Sequence, residues 1–178
     1  MGRNILKYGV IAGLVVAAGM WGTLLAFGND MPHGWSGMAL GYLSMLVAFS
    51  AVVIGIRRYR DVDRGGVIGF WPAFGLGLGI SLVAAIFYVL AWELAQATVV
   101  GDFAGRYAAT AIEQAKAGGA GAAELAKLTA QMEAFKLQYA NPLFRLPMTF
   151  AEIFPVGVLV SLVSAAVLRN RRALPARG

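Results

Sequence analysis

The sequence predicts an all-α integral membrane protein: four transmembrane helices, with an extracytoplasmic helical hairpin between the third and the fourth. Three observations predict it. First, 59% of the 178 residues are hydrophobic and only 13% are charged, with a mean hydropathy of +0.69. Soluble domains average roughly 45–50% apolar and about 25% charged residues, so the solvent here is a bilayer. Second, the runs 5–27, 38–56, 67–92 and 150–168 are apolar. At about 1.5 Å per helical residue, each is long enough for a hydrocarbon core of about 30 Å. Third, the joint 57–66 is short and crowded with arginine: Arg57-Arg58-Tyr59-Arg60-Asp61-Val62-Asp63-Arg64-Gly65-Gly66.

The first run follows Arg3 and Lys7. A cleaved signal peptide is the alternative, but signal h-regions are only about 7–15 residues long. Gly9, Gly13 and Ala17 lie four apart, as a close helix–helix contact in lipid requires. Asn29, Asp30, Pro32 and Gly34 mark a turn, with His33 among them. The second run carries Gly37, Gly41, Ser44, Ala48, Ala51 and Gly55 in alternating steps of 4 and 3. Such a small-residue ridge makes this helix the expected packing centre. The third run tolerates Pro72 in its first turns and repeats the ridge at Gly77, Ser81 and Ala85. Its Gly75, Gly77 and Gly79 follow no strand and lack the G-x-G-x-x-G order, so they are not a nucleotide-binding loop.

Composition changes after Gln96. A weaker helix is predicted near 102–117, then a break at Gly118-Gly119-Ala120-Gly121. A second helix follows, with Leu125, Leu128, Met132, Phe135 and Tyr139 in steps of 3 and 4, ended by Asn141-Pro142. The predicted division is therefore 1–95 for the first three spans with their joint, 96–146 for the hairpin, 147–168 for the fourth span and 169–178 for a basic tail. Gly157, Ser161 and Ala165 again lie four apart in the last span.

Four spans place both termini and the joint on one side. That side holds ten of the fifteen basic residues: Arg3, Lys7, Arg57, Arg58, Arg60, Arg64, Arg169, Arg171, Arg172 and Arg177. Basic residues in short loops stay cytoplasmic, so the expected topology is N-in and C-in, with the hairpin outside. The hairpin carries five basic and four acidic residues, which is no nucleic-acid patch. There is no cysteine, hence no disulfide, thiolate metal site or cysteine nucleophile.

Tyr42-Leu43-Ser44-Met45, Gly55-Ile56-Arg57-Arg58-Tyr59-Arg60-Asp61, Gly65-Gly66-Val67-Ile68-Gly69-Phe70 and Met148-Thr149-Phe150-Ala151-Glu152-Ile153-Phe154-Pro155-Val156-Gly157 together resemble the bacterial family called domain of unknown function 4199. The resemblance implies a bacterial four-span protein of the inner membrane with an extracytoplasmic segment before the last span. It supplies no activity and no catalytic residue.

Two carboxylates fall near membrane depth, where a central charge costs roughly 2.5–3.5 kcal/mol. Glu93 lies at the outer end of the third span and Glu152 at the outer start of the fourth. With His33 they form a candidate polar cluster at the outer mouth, suited to a divalent cation or to protons. Against this, Thr149-x-x-Glu152 fits a helix capping box, and Glu93 can reach the headgroups. Asp61 and Asp63 are expected to pair with the surrounding arginines rather than bind a metal–nucleotide. Arg57, Arg58, Arg60 and Arg64 are candidate contacts for anionic lipid headgroups.

No nucleophile–base pair, metal-ligand spacing or cofactor motif appears, so no enzyme and no cofactor is expected. The expected function is a non-enzymatic membrane scaffold or adaptor. Its outer hairpin would meet a protein partner, the membrane surface or a second copy. The alternative is a small transporter or channel subunit using Glu93 and Glu152.

Overall fold

The computed structural model describes residues 1–27 and 35–170, and these are helical throughout apart from short connections. The turn at 29–34, with His33, and the tail from Arg171 lie outside the described residues. Six helices follow one another: α1 (Gly2–Phe27), α2 (Trp35–Arg58), α3 (Phe70–Ala95), α4 (Phe103–Ala117), α5 (Ala122–Tyr139) and α6 (Pro142–Leu168). The chain forms two compact units, Met1–Trp92 with the chain from Phe150 onward, and Glu93–Thr149. Four helical segments among the described residues are long and apolar enough to cross a membrane: Gly2–Phe27, Ala39–Asp63, Phe70–Val100 and Pro142–Leu168.

In the first unit, large apolar side chains face outward. Leu14, Leu43, Leu90 and Leu159 are 57–62% exposed. The interior holds Ala12, Ala48, Ala73, Ala84 and Ala85 beside Phe49, Ile56, Leu76 and Ile80. This is the reverse of a water-soluble surface and suits a hydrocarbon solvent. Glycines set the approach of the helices. A Cβ on Gly9 would lie 2.6 Å from Val83 Cβ, and one on Gly13 would lie 2.5 Å from Phe87 Cβ, so α1 seats on α3. Between α3 and α6 the contact is reciprocal: Gly77 faces Ser161, and Gly157 faces Ser81. The α2 ridge divides. Ala48, Ala51 and Gly55 are buried, Gly55 between Ile80 and Tyr8, whereas Gly41 has nothing within 4 Å of a built Cβ.

Hydroxyls within the spans bond back along their own helices. Thr23 donates to the Gly19 carbonyl at 2.9 Å, Ser44 to Gly41 at 2.7 Å and Ser161 to Gly157 at 2.7 Å. Ser81 Oγ lies 3.2 Å from Ser161 Oγ. A hydroxyl has one proton, and that of Ser161 is already spent on Gly157, so Ser81 donates here. Among the described residues, no buried side-chain nitrogen or oxygen lacks a partner, as an apolar solvent demands.

The joint differs from the loop expected at 57–66. The helix of α2 runs on through a wide π-type turn, Tyr59–Asp63, before the chain reverses. Gly66 N–H donates to the Arg60 carbonyl at 2.9 Å, and Gly65 and Gly66 adopt φ of 60° and 86°. Side chains with a Cβ rarely accept these angles, hence the glycine pair.

The last helix also differs from expectation. It begins at Pro142, not near Phe150, so Thr149-x-x-Glu152 is no capping box. Asn141 is the cap: its Oδ1 accepts from Leu143 N–H at 3.0 Å, and Pro142 occupies the first turn, where an N–H is dispensable. Thr149 donates instead to the Arg145 carbonyl at 3.0 Å, a bond available to a threonine inside a helix.

The second unit contains the hairpin α4–α5. Asp102 caps α4 by accepting from Gly105 N–H at 2.8 Å, and Gly119, with φ 81°, turns the chain toward α5. Phe103, Tyr107, Phe135 and Tyr139 form an aromatic cluster with centroid spacings of 5.4–6.0 Å. The expected seam of α5 is thus used: Leu125, Leu128, Met132 and Phe135 are half-buried and Tyr139 is buried.

Candidate functional site

Of the candidate cluster, Glu93 and Glu152 fall in different compact units, and each is described within its own. Glu93 belongs to the second unit, where Arg145 grips it with two charge-assisted bonds. Nε reaches Oε1 at 2.7 Å and Nη2 reaches Oε2 at 2.5 Å. Arg145 also donates to the Tyr139 carbonyl at 3.2 Å and lies 5.7 Å from the centre of that ring. A two-pronged guanidinium–carboxylate pair satisfies both charges, so Glu93 is a structural clasp within the second unit. The signal in the sequence was Arg145 itself, the one arginine just after Asn141-Pro142 and before the last apolar run.

Glu152 belongs to the first unit. It lines a cavity of about 210 Å³ formed by α1, α2, α3 and α6. Its carboxylate accepts a hydrogen bond from the Tyr88 side chain. Thr23, Gly41, Ser44 and Trp92 share the lining, and the remaining wall is apolar. The N-terminal half of the α2 ridge borders this cavity, and Gly41 faces open space rather than a neighbouring helix. Tyr88 and Trp92 are four residues apart in α3 and so share a face. The spacing is visible in the sequence, but within an apolar run it does not distinguish a cavity wall from packing. Among the described residues, no group of three His, Cys, Asp or Glu could hold a metal ion. His33, the third member of the candidate polar cluster, lies outside the described residues.

The third polar region is the joint. Arg60 is buried, at 1% exposure, and not turned outward as expected of a headgroup contact. Its Nε donates to Asp61 at 2.6 Å, and its Nη1 lies 3.5 Å from the Leu168 carbonyl at the end of α6. The last carbonyls of a helix have no partner within it and carry partial negative charge, so a guanidinium fits there. Arg57 approaches Asp61 at 3.6 Å, and Asn4 donates to Asp63 at 2.7 Å. Arg64 bonds the Tyr59 hydroxyl at 3.2 Å and sits over its ring. Both aspartates of the D-x-D pair thus have partners in the protein. Arg58 and Arg64 are exposed and Arg57 is half-exposed.

These features are compatible with a multi-pass membrane protein: four apolar helices, and among the described residues no buried side-chain polar atom without a partner. The family model described as "Protein of unknown function (DUF4199)" matches residues 7–170, and the chain belongs to that family. Comparisons with curated proteins and with solved structures gave no match.

Proposed function

We propose that this protein is a non-enzymatic scaffold or adaptor of a bacterial inner membrane, with both termini cytoplasmic and the α4–α5 hairpin outside. The observation that carries the reading is the closed middle of the first unit. Phe49, Val52, Leu76 and Ile80 are fully buried there, and the serines between α3 and α6 bond only to one another and to their own helix. Glycine contacts leave no slack at this level. Such a core suits a fixed platform better than a conduit, which needs a polar path. The hairpin supplies a surface for a partner: Glu113, Lys116, Glu124, Lys127 and Glu133 are exposed along it. Arg57, Arg58 and Arg64 are the residues offered to anionic headgroups at the cytoplasmic face.

A transporter reading draws on one observation, the cavity at Glu152. It no longer has Glu93 to offer, because Arg145 holds that charge.

The chain has no cysteine, so Ala120→Cys gives a single label site. It is expected to react with an impermeant maleimide added outside intact spheroplasts; reaction only after lysis would overturn the topology. Replacing 102–140 by a short Gly/Ser linker should abolish cross-links to the partner while the spans still insert. Solute flux in liposomes that disappears with Glu152→Gln would favour transport over the scaffold.

A further inference from the structure

The cavity in the first unit has a chemical bias that its size and apolar walls conceal. Each hydroxyl on its wall has already committed its proton. Thr23 donates to Gly19, Ser44 donates to Gly41, and the Tyr88 side chain is bonded to the Glu152 carboxylate. A hydroxyl whose proton is spent offers only lone pairs. The backbone N–H groups of Thr23, Gly41, Ser44, Tyr88 and Glu152 lie within helices, whereas Gly37 belongs to the first turn of α2, whose N–H groups have no acceptor in their own helix. Glu152, when ionised, adds a negative charge; Tyr88 and Trp92 add aromatic rings, whose faces are electron-rich, and Trp92 also carries an indole N–H. No salt bridge to Glu152 exists among the described residues. The Thr23 and Ser44 hydroxyls therefore offer lone pairs, and together with an ionised Glu152 they attract positive charge. The other walls, from Val16, Leu24 and Met45, are apolar.

We propose that this cavity is a binding site for a primary ammonium group carried on a short apolar chain. The ammonium has three N–H donors, which match Glu152, Ser44 and Thr23, and its charge is the counterion that Glu152 lacks among described residues. Tyr88 and Trp92 supply cation–π attraction. The cavity, of about 210 Å³, leaves room for a short amine chain beside the carboxylate. The same chemistry occurs in a free alkylamine and in the ethanolamine headgroup of a phospholipid. The site is independent of the scaffold reading, because it needs neither the hairpin nor a partner.

The test uses the full chain in maltoside micelles, titrated calorimetrically with butylammonium and, separately, with 1-butanol. Butanol has similar length but no charge. Butylammonium is expected to saturate, and butanol to bind at least about tenfold more weakly, the loss typical of a charged hydrogen-bonding group. Glu152→Gln should lower butylammonium affinity by a similar factor and leave butanol unchanged. Ser44→Ala, which keeps the charge, should weaken butylammonium by a few-fold and serves if the glutamine variant is poorly folded. Equal binding of amine and alcohol, or amine binding unaffected by either substitution, overturns the proposal, as does absence of saturable amine binding to folded protein. Adding phosphatidylethanolamine or phosphatidylglycerol to the micelles distinguishes the sources. Competition by the first lipid alone assigns the site to a headgroup; competition by neither assigns it to a free amine.

Discussion

Gly157→Ala probes the tightest part of the molecule. The new Cβ would lie 2.6 Å from Ser81 Cβ, 2.8 Å from Ser81 Oγ and 2.9 Å from Phe49 Cζ. Carbon atoms pack at roughly 3.5–4.0 Å, so Ser81 Cβ is about 0.9–1.4 Å too close. That atom is fixed to the α3 backbone and cannot swing aside, so α3 and α6 must part. Overpacking of this kind costs about 1–3 kcal/mol. Alanine is the better helix former by up to about 1 kcal/mol, which offsets part of the loss. The control is Gly22→Ala in α1, where a Cβ meets nothing within 4 Å. It has the propensity gain without the clash. The two variants should therefore differ by about 1–3 kcal/mol, with Gly157→Ala the less stable. At about 2–4 °C per kcal/mol for a chain of this size, thermal unfolding in detergent can read the gap. Adding Ser81→Gly to Gly157→Ala moves the side chain from one helix to the other and should restore much of the loss. Double-mutant coupling of about 0.5–3 kcal/mol is expected. Equal melting of the two single variants, or strict additivity in the double one, would refute the reciprocal contact.

Arg60→Ala should destabilise by about 1–3 kcal/mol, because it uncovers the Leu168 carbonyl and Asp61, while exposed Arg58→Ala should stay within about 0.5 kcal/mol; denaturant titration of the pair checks this. Arg145→Ala should loosen the second unit by about 1–3 kcal/mol, against at most about 0.5 kcal/mol for Lys136→Ala, whose bond to Glu133 is exposed. Amide exchange in α5, faster in the first variant only, is the expected readout. Asn141→Ala should cost about 0.5–2 kcal/mol by removing the cap of α6, and should raise proteolysis at the α5–α6 connection.

The four apolar helices were legible because a bilayer imposes length and hydrophobicity together. The hairpin was legible because Gly118-Gly119-Ala120-Gly121 and Asn141-Pro142 punctuate it strongly. Helix limits were less so. Tyr59 to Asp63 reads as a charged loop, yet it stays helical because Arg57 and Arg60 neutralise Asp61 from within the turn. Thr149-x-x-Glu152 imitates a cap, but the segment before it already has a stronger start at Asn141-Pro142. Partner choice was least legible. Local spacing cannot show that Glu93 meets Arg145, or that Arg60 meets the end of α6, because both contacts join residues more than 50 positions apart.

The glycine–serine face shared by α3 and α6 repeats every four residues, and a repeating face is smooth. It sets how near the helices come and says little about how far along they stop. Sliding α6 by one turn, about 5.4 Å, would bring Ala165 beside Gly77 and Gly157 beside Ala85, still small against small. The polar contacts at either end have no such repeat. Leu168 meets Arg60, and Glu152 meets Tyr88, roughly 24 Å apart along α6 at about 1.5 Å per residue. A one-turn slip breaks both together. They act as end stops on a sliding rail, which gives Glu152 a mechanical duty whether or not its cavity is occupied.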